Sequence, residues 1–289
     1  MINCFKKLTT IGALLASIVF LYGATVISTE FGDLADVIKG VLYSATQASL
    51  SALSAGDQDI INFMNSINHA AILEYNSSIT NLKLDRNRYL HHAKFLITNN
   101  AVIFGSMNFT ESSLYDDLND GIVFYDGEVI EVFEDIFNRL WTGNTPKAIY
   151  KTKIGTFYLS PFMDLENVIY KILEKAKSEV DIAIYAFTDM NVLGALKYLM
   201  SKGVKIRIAM DDWSERYIGK YPLGQFDVKV FRDATLHHKF IIVDDSILLT
   251  GSANITESAF RKNFEVIFLT EDKEIIHQYK EMFDLLWGE

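Results

Sequence analysis

The stretch Leu236-His237-His238-Lys239-Phe240-Ile241-Ile242-Val243-Asp244, with Gly251-Ser252-Ala253-Asn254 behind it, decides how the chain is read. Side chains alternate faces along a strand, so His237 and Lys239 point the same way. Phe240 to Val243 is apolar and β-branched, the composition of a buried strand. Asp244-Asp245-Ser246 is turn chemistry, and Ile247 to Thr250 reads as a return strand. That return brings Ser252 and Asn254, again two apart, toward the His/Lys end. One hairpin thereby presents an imidazole, an ammonium, a hydroxyl and a carboxamide together, a set suited to an oxyanion such as phosphate.

The pattern occurs twice. Leu90-His91-His92-Ala93-Lys94-Phe95-Leu96-Ile97-Thr98-Asn99, followed by Gly105-Ser106-Met107-Asn108, stands one repeat upstream. His92 to His237 and Lys94 to Lys239 are offsets of 145, whereas Gly105 to Gly251 and Asn108 to Asn254 are offsets of 146. The extra residue falls in the turn, where hairpins accept length changes. Trp141 and Trp287 share the offset of 146, so a whole unit is duplicated.

H-x-K-x4-D followed by G-S-x-N, present twice in one chain, resembles the phospholipase D superfamily of phosphodiesterases. The second copy matches in full at His237, Lys239, Asp244, Gly251, Ser252 and Asn254. The first departs at Asn99, where the family has Asp, and its spacer is one residue short. The resemblance implies a covalent phosphohistidine on one histidine, with the other acting as acid and then as base. The family usually assigns the attack to the N-terminal histidine, here His92. It also implies an orienting acid for each imidazole, for which Glu265 and Asp120 are the matching residues, the second alignment being free to slip by one.

The chemistry follows from the residues as well. A phosphodiester repels nucleophiles by its charge and expels a poor leaving group. Two imidazoles of opposite protonation answer both problems near neutral pH. Lys94 and Lys239 would neutralise the non-bridging oxygens, while Asn108 and Asn254 donate hydrogen bonds as charge builds. Ser106, Ser252 and Asp244 are supporting residues, Asp244 at the strand end holding the turn. This design requires no metal and no cofactor. A metal site from the four histidines lacks acidic or thiol ligands at matching spacing. His91 and His238 fall on the opposite strand face and read as packing or supporting residues, and His69 and His277 as structural. Trp141 and Trp287 read as core anchors. Lys83, Arg86 and Arg88, with Arg261 and Lys262, either frame the cleft or are solvated surface.

Composition sets outer bounds. The 289 residues are 49% hydrophobic and 13% aromatic, with three prolines, which suits two cored lobes rather than disorder. A net charge of −10 argues against a surface that coats nucleic acid generally, though not against a local basic cleft. The one cysteine, Cys4, rules out a disulfide framework.

The expected fold class is α/β, with two similar lobes, each a mostly parallel sheet flanked by helices, behind an N-terminal apolar helix. The expected divisions are 1–24, 25–150 and 151–289. Lys6-Lys7 precede an uncharged run from Leu8 to Thr29. At about 1.5 Å per residue it would span roughly 33 Å, enough for a hydrocarbon core. Its charge flanks predict a membrane-anchored chain with the lobes on the extracytoplasmic side, or a secreted one if the segment is a cleaved signal. One conflict is built in, because Val26-Ile27-Ser28 aligns with the strand expected at Phe157-Tyr158-Leu159. The segment Gln47 to Gly56, rich in Ala and Ser, has no clear assignment. Both motifs lie in one chain, so a monomer with one site between its lobes is expected. Its substrate would be a phospholipid headgroup ester, with a DNA or RNA phosphodiester as the alternative. A second alternative is an inactive, membrane-tethered binding module.

Overall fold

The two His/Lys hairpins form the centres of two sheets. A computed structural model describes residues 23–218 and 223–288. In chain order the first half runs β1 (Ala24–Ser28), α1 (Leu34–Tyr43), β2 (Gln47–Ala52), α2 (Gln58–Ser66), β3 (Asn68–Leu73), β4 (Leu82–Leu84), β5 (Phe95–Thr98), β6 (Val102–Gly105), α3 (Glu111–Tyr115), β7 (Asp120–Phe124) and α4 (Gly127–Thr142). The second half runs β8 (Ile149–Lys151), β9 (Thr156–Ser160), α5 (Glu166–Leu173), β10 (Glu179–Ile184), α6 (Met190–Ser201), β11 (Lys205–Asp211), α7 (Asp212–Ile218), β12 (Asp227–Phe231), β13 (Lys239–Val243), β14 (Ile247–Gly251), α8 (Glu257–Arg261), β15 (Glu265–Thr270) and α9 (Lys273–Trp287).

The sheet orders are β1-β7-β6-β5-β2-β3-β4 and β12-β11-β10-β13-β14-β15-β9-β8, the same arrangement strand for strand with β8 added. Both sheets are mixed, which corrects the expectation of mostly parallel ones. Only β2, β3 and β4, and β10, β11 and β12, pair in parallel. Those strands are the ones joined by helical or long connections. The hairpins β5–β6 and β13–β14 turn in a few residues, and a short turn can only join antiparallel strands. At the second hairpin Asp244 and Asp245 have φ of 51° and 47°, the left-handed pair such a turn needs.

The Ala- and Ser-rich segment is β2, whose inner residues are buried between β3 and β5. Small side chains suit a central strand covered on both faces. β1 pairs with β7 along its whole length, so the apolar run of the N-terminus cannot extend as a membrane helix to Thr29. The remainder of the expected anchor, residues 1–22, lies outside the described residues. Among the described residues no helix is long and apolar enough to cross a membrane. β8 pairs with β9, so the second sheet begins before residue 151.

The lobes meet through phenylalanines. Phe104, Phe124 and Phe133 of the first pack edge-on against Phe157 and Phe268 of the second, with Phe133 and Phe157 ring centroids 5.1 Å apart. Removing one such buried ring costs about 3–5 kcal/mol, so the interface is part of the core. The closing helices α4 and α9 begin at Asp126 and Asp272, whose carboxylates accept from the first free amides, and end at left-handed Gly143 and Gly288.

Candidate active site

Each His/Lys strand is held by the other lobe. The amides of His92 and Ala93 donate to the Phe264 carbonyl, and Phe264 N donates to Leu90 O. Reciprocally, His237 N donates to Leu118 O and Leu118 N to Thr235 O. This exchange carries His92 and His237 to the seam between the sheets from opposite halves. Gly105 and Gly251 permit it, since a Cβ on either would lie 2.2 Å from Asp120 O or 2.4 Å from Val266 O.

The orienting contacts also cross over. His92 Nδ1 donates to Glu265 Oε2 at 2.8 Å, and Ser252 Oγ donates to the same oxygen at 2.6 Å. In the mirror position, His237 Nδ1 lies 2.9 Å from Asn119 Oδ1, which also accepts from Ser106 Oγ at 2.9 Å. The Asn119 amide nitrogen donates to Ser113 O at 2.8 Å, which fixes the oxygen toward the imidazole. Asn119, not Asp120, is therefore the residue that orients His237, a correction of one position. It matches Glu265 at the offset of 146 that holds after the turn.

Asp120 instead serves His238. Its Oδ1 accepts from His238 Nδ1 at 2.7 Å, and Tyr279 OH and Thr250 Oγ1 donate to its Oδ2. His238 Nε2 reaches Glu30 at 2.8 Å. Burial opposes charge on this imidazole, but the two carboxylates prevail and raise it to about 9. The two carboxylates favour the imidazolium form of His238, which ties the start of β13 in the second lobe to the first lobe. His91, which precedes His92 and aligns with Leu236 rather than with His238, bonds Ser51 at 2.7 Å and Asp85 at 3.2 Å, and stacks on Phe264. Neither role was legible beyond the strand face.

Four basic groups gather at the seam. Burial pushes His92 below the ordinary imidazole value, with Glu265 pulling the other way. His237 is lowered well below it by burial and then by Lys239 and Lys94. Burial brings Lys94 down to about 7, and burial with the charge of Lys94 depresses Lys239. Each ammonium donates to its own histidine's carbonyl, Lys239 to His237 O at 2.5 Å and Lys94 to His92 O. Glu265, which burial would raise, is held below the usual carboxylate range by His92 and Lys94. Such a cluster of basic groups, each held back from charging by burial, is what an oxyanion relieves.

Asn254 Oδ1 accepts from Ala186 N at 3.2 Å, leaving its amide hydrogens to donate elsewhere. Asn108 Oδ1 is buried with no partner among the described residues. Asp244 does not join the site. At the far end of β13 its carboxylate accepts from Lys177 N, Ser178 N, Ser178 Oγ and Glu179 N, all within 2.9 Å. Asn99 makes one bond of this kind, from Thr46 N at 3.0 Å, which explains how the first motif accepts the change.

One neighbouring feature was missed. Tyr185 stands beside His237, with ring centroids 5.2 Å apart, and stacks on Trp213, which stacks on exposed Tyr217. α7 carries the last two rings, and its seven residues, Asp212 to Ile218, have too little apolar periodicity to announce a helix.

The paired His/Lys hairpins and crossed lobes are those of a phospholipase D-like fold. Residues 48–141 and 169–287 match the family model described as cardiolipin synthase, PLD-like domain. The chain belongs to this phospholipase D-like family. It is similar to the mitochondrial cardiolipin hydrolase of Xenopus tropicalis, 34% identical over 125 residues, which are 41% of this chain and 59% of that protein. It is also similar to a phospholipase D of Rickettsia prowazekii (strain Madrid E), 29% identical over 45% of this chain and 65% of that one. The matches thus span about three-fifths of the length of these curated relatives. The phosphatidylserine synthase structure from Haemophilus influenzae superposes with a TM-score of 0.70 over 92% of this chain and 86% of that one. At 11% identity, it shows a common fold.

Proposed function

We propose that the chain is a metal-independent phosphodiesterase that hydrolyses a phospholipid headgroup ester through a phosphohistidine on His92. The observation that carries this is the unequal backing of the two imidazoles, a carboxylate behind His92 and a carboxamide behind His237. His92 Nε2 attacks phosphorus, and Glu265 stabilises the positive charge that spreads over the ring as the N–P bond forms. The P–O bond to the alcohol breaks as His237 gives its Nε2 proton to the leaving oxygen. Asn119 holds that ring without a charge, which favours release of the proton. His237 then takes a proton from water, the hydroxide displaces His92, and the phosphomonoester leaves. Lys94 and Lys239 neutralise the non-bridging oxygens, and the bound anion favours the protonated forms of both lysines and of His237, while His92 Nε2 stays free to attack.

The lipid reading is supported by the acidic side of the cleft. Asp117 is raised by burial and by its neighbours Asp116 and Asp211, and the charges of Asp211, Asp117 and Asp212 act on Tyr185 beside His237 against the single cation Arg216, which pairs with Asp212. A polyanionic strand would be repelled by this rim, whereas one phosphodiester would still be held by the lysines. A membrane tether in residues 8–23, with the lobes on the extracytoplasmic side, would bring the site to its lipid. The Tyr185–Trp213–Tyr217 ladder favours the second reading, a nuclease, since rings in series can stack bases. The test is an assay of the full chain with EDTA present, against phosphatidylcholine vesicles and single-stranded DNA. Headgroup release with EDTA is the expected result, and cleavage of DNA alone overturns the lipid reading.

A further inference from the structure

The repeat allows each lobe to be compared with the other position by position. Ser49 pairs with Ala70 on one side and Ile97 on the other, and Asp181 pairs with Arg207 and Ile242 in the same way. Ile97 and Ile242 each stand three residues after their motif lysine. Ser49 and Ala70 are therefore the counterparts of Asp181 and Arg207. On the helices above, Glu134, Phe137, Asn138 and Trp141 of α4 correspond to Lys280, Phe283, Asp284 and Trp287 of α9.

In the second lobe this place is filled by a cation. The Arg207 guanidinium lies 5.0 Å from the Phe283 ring centroid and 5.6 Å from that of Trp287. It forks onto Asp181 at 2.7 and 2.8 Å, and Asp284 is 3.7 Å away. The first lobe keeps the aromatic platform almost unchanged. Phe137 and Trp141 stack at 5.9 Å and 14°, against 5.7 Å and 16° for Phe283 and Trp287. Ala70 and Ser49 are too short to reach it, and a cavity of about 350 Å³ is left.

We propose that this cavity binds a guanidinium group, supplied by a small organic molecule or by an arginine of a partner. Phe137 and Trp141 offer the ring faces that Arg207 uses in the other lobe. Ser49 Oγ, the Asn138 carboxamide and the Glu134 carboxylate line the same cavity as acceptors. Among the described residues no Lys or Arg lines the cavity, and the one imidazole there, His69, has both ring nitrogens engaged, with Ile67 O and with Asn81 N and Thr80 Oγ1. Among the described residues the only full charge offered to a ligand is therefore negative, which disfavours an anion. The planar fork favours guanidinium over ammonium, because a flat cation lies near both rings at once, as Arg207 does, whereas the Lys280 ammonium stands over Phe283 alone at 5.9 Å.

The test uses the full chain and follows the Trp141 indole signal by NMR together with the thermal midpoint. Ethylguanidinium chloride and the peptide acetyl-Gly-Arg-Gly-amide are titrated against ethylammonium chloride at equal ionic strength. Expected is a saturable Trp141 shift with a guanidinium ligand and a higher thermal midpoint. A preference for ethylguanidinium identifies a small-molecule site, and a preference for the peptide a protein partner. The double variant Ser49→Asp/Ala70→Arg places the second lobe's pair in the first. It should melt higher without ligand, lose the response and keep its phosphodiesterase rate. Should that variant not fold, Trp141→Leu is measured by calorimetry, with binding weakened about tenfold. No Trp141 shift at about 10 mM ligand, an equal shift with ethylammonium, or unchanged binding in either variant overturns the proposal.

Discussion

Glu265 of the second lobe accepts from His92 of the first at 2.8 Å, while the site's mirror contact joins His237 to the carboxamide of Asn119. The two imidazoles are thus matched in position and unequal in electrostatics. Their rings differ in what they can do with a proton.

Glu265→Gln should leave the fold intact and lower kcat by about 10²–10⁴, the range seen when a buried acid behind an imidazole is neutralised. Steady-state rates on a phosphodiester, with circular dichroism to verify folding, check this. A rate within a few-fold of the parent would contradict the role given to Glu265.

His237→Ala and His92→Ala should differ on an ester with a good leaving group such as p-nitrophenol. Without His237 the first step survives and the intermediate accumulates, giving a burst of p-nitrophenol. Without His92 no burst forms. Stopped-flow absorbance distinguishes the two, and a burst in His92→Ala would reverse the assignment of the nucleophile.

Asn119→Asp places a carboxylate behind His237 and should raise that imidazole, now held well below its ordinary value. The limb of the kcat/KM profile that reports it should move to higher pH. An unmoved profile would mean that His237 does not titrate in the rate-limiting step.

His238 carries a pH signature of its own. Its folded value of about 9 exceeds the ordinary 6.5, so the stability it supplies is full below about pH 6.5 and is lost as pH rises through 9. Lys94, lowered to about 7, works in the opposite sense over the same range, since the unfolded chain binds the extra proton there. The difference between wild type and His238→Gln isolates the imidazolium. It should shrink from pH 6.5 to 9.5 in chemical denaturation, and a constant difference would show that His238 is neutral.

Asp244→Ala removes the acceptor of four hydrogen bonds at the turn. A loss of about 2–3 kcal/mol in denaturant stability is expected with kcat unchanged, because the carboxylate lies at the opposite end of β13 from His237. A fall in kcat without loss of stability would place Asp244 in the chemistry instead.

Much of the second lobe was legible. The strand at Phe157, the strand from Phe240 to Val243 and its return from Ile247 form where alternation and turn residues put them. The first lobe was harder because β2 is built from Ala and Ser, whose strand preference is weak. Only its position between β3 and β5 makes it a strand. Sheet direction was misjudged because alternating helices and strands were counted across the hairpins, where no helix intervenes.

The sequence by itself determined the duplication, the two His/Lys hairpins and the class of chemistry, because the period-two strand and the short turn are local properties. Only the tertiary structure decided that each imidazole is oriented from the opposite lobe, that Asn119 and not Asp120 faces His237, and that His238 sits between the carboxylates of Asp120 and Glu30. Those contacts join residues 118 to 208 positions apart. A one-residue slip along a strand turns a side chain to the other face, so only the assembled sheets could say which acid meets which histidine.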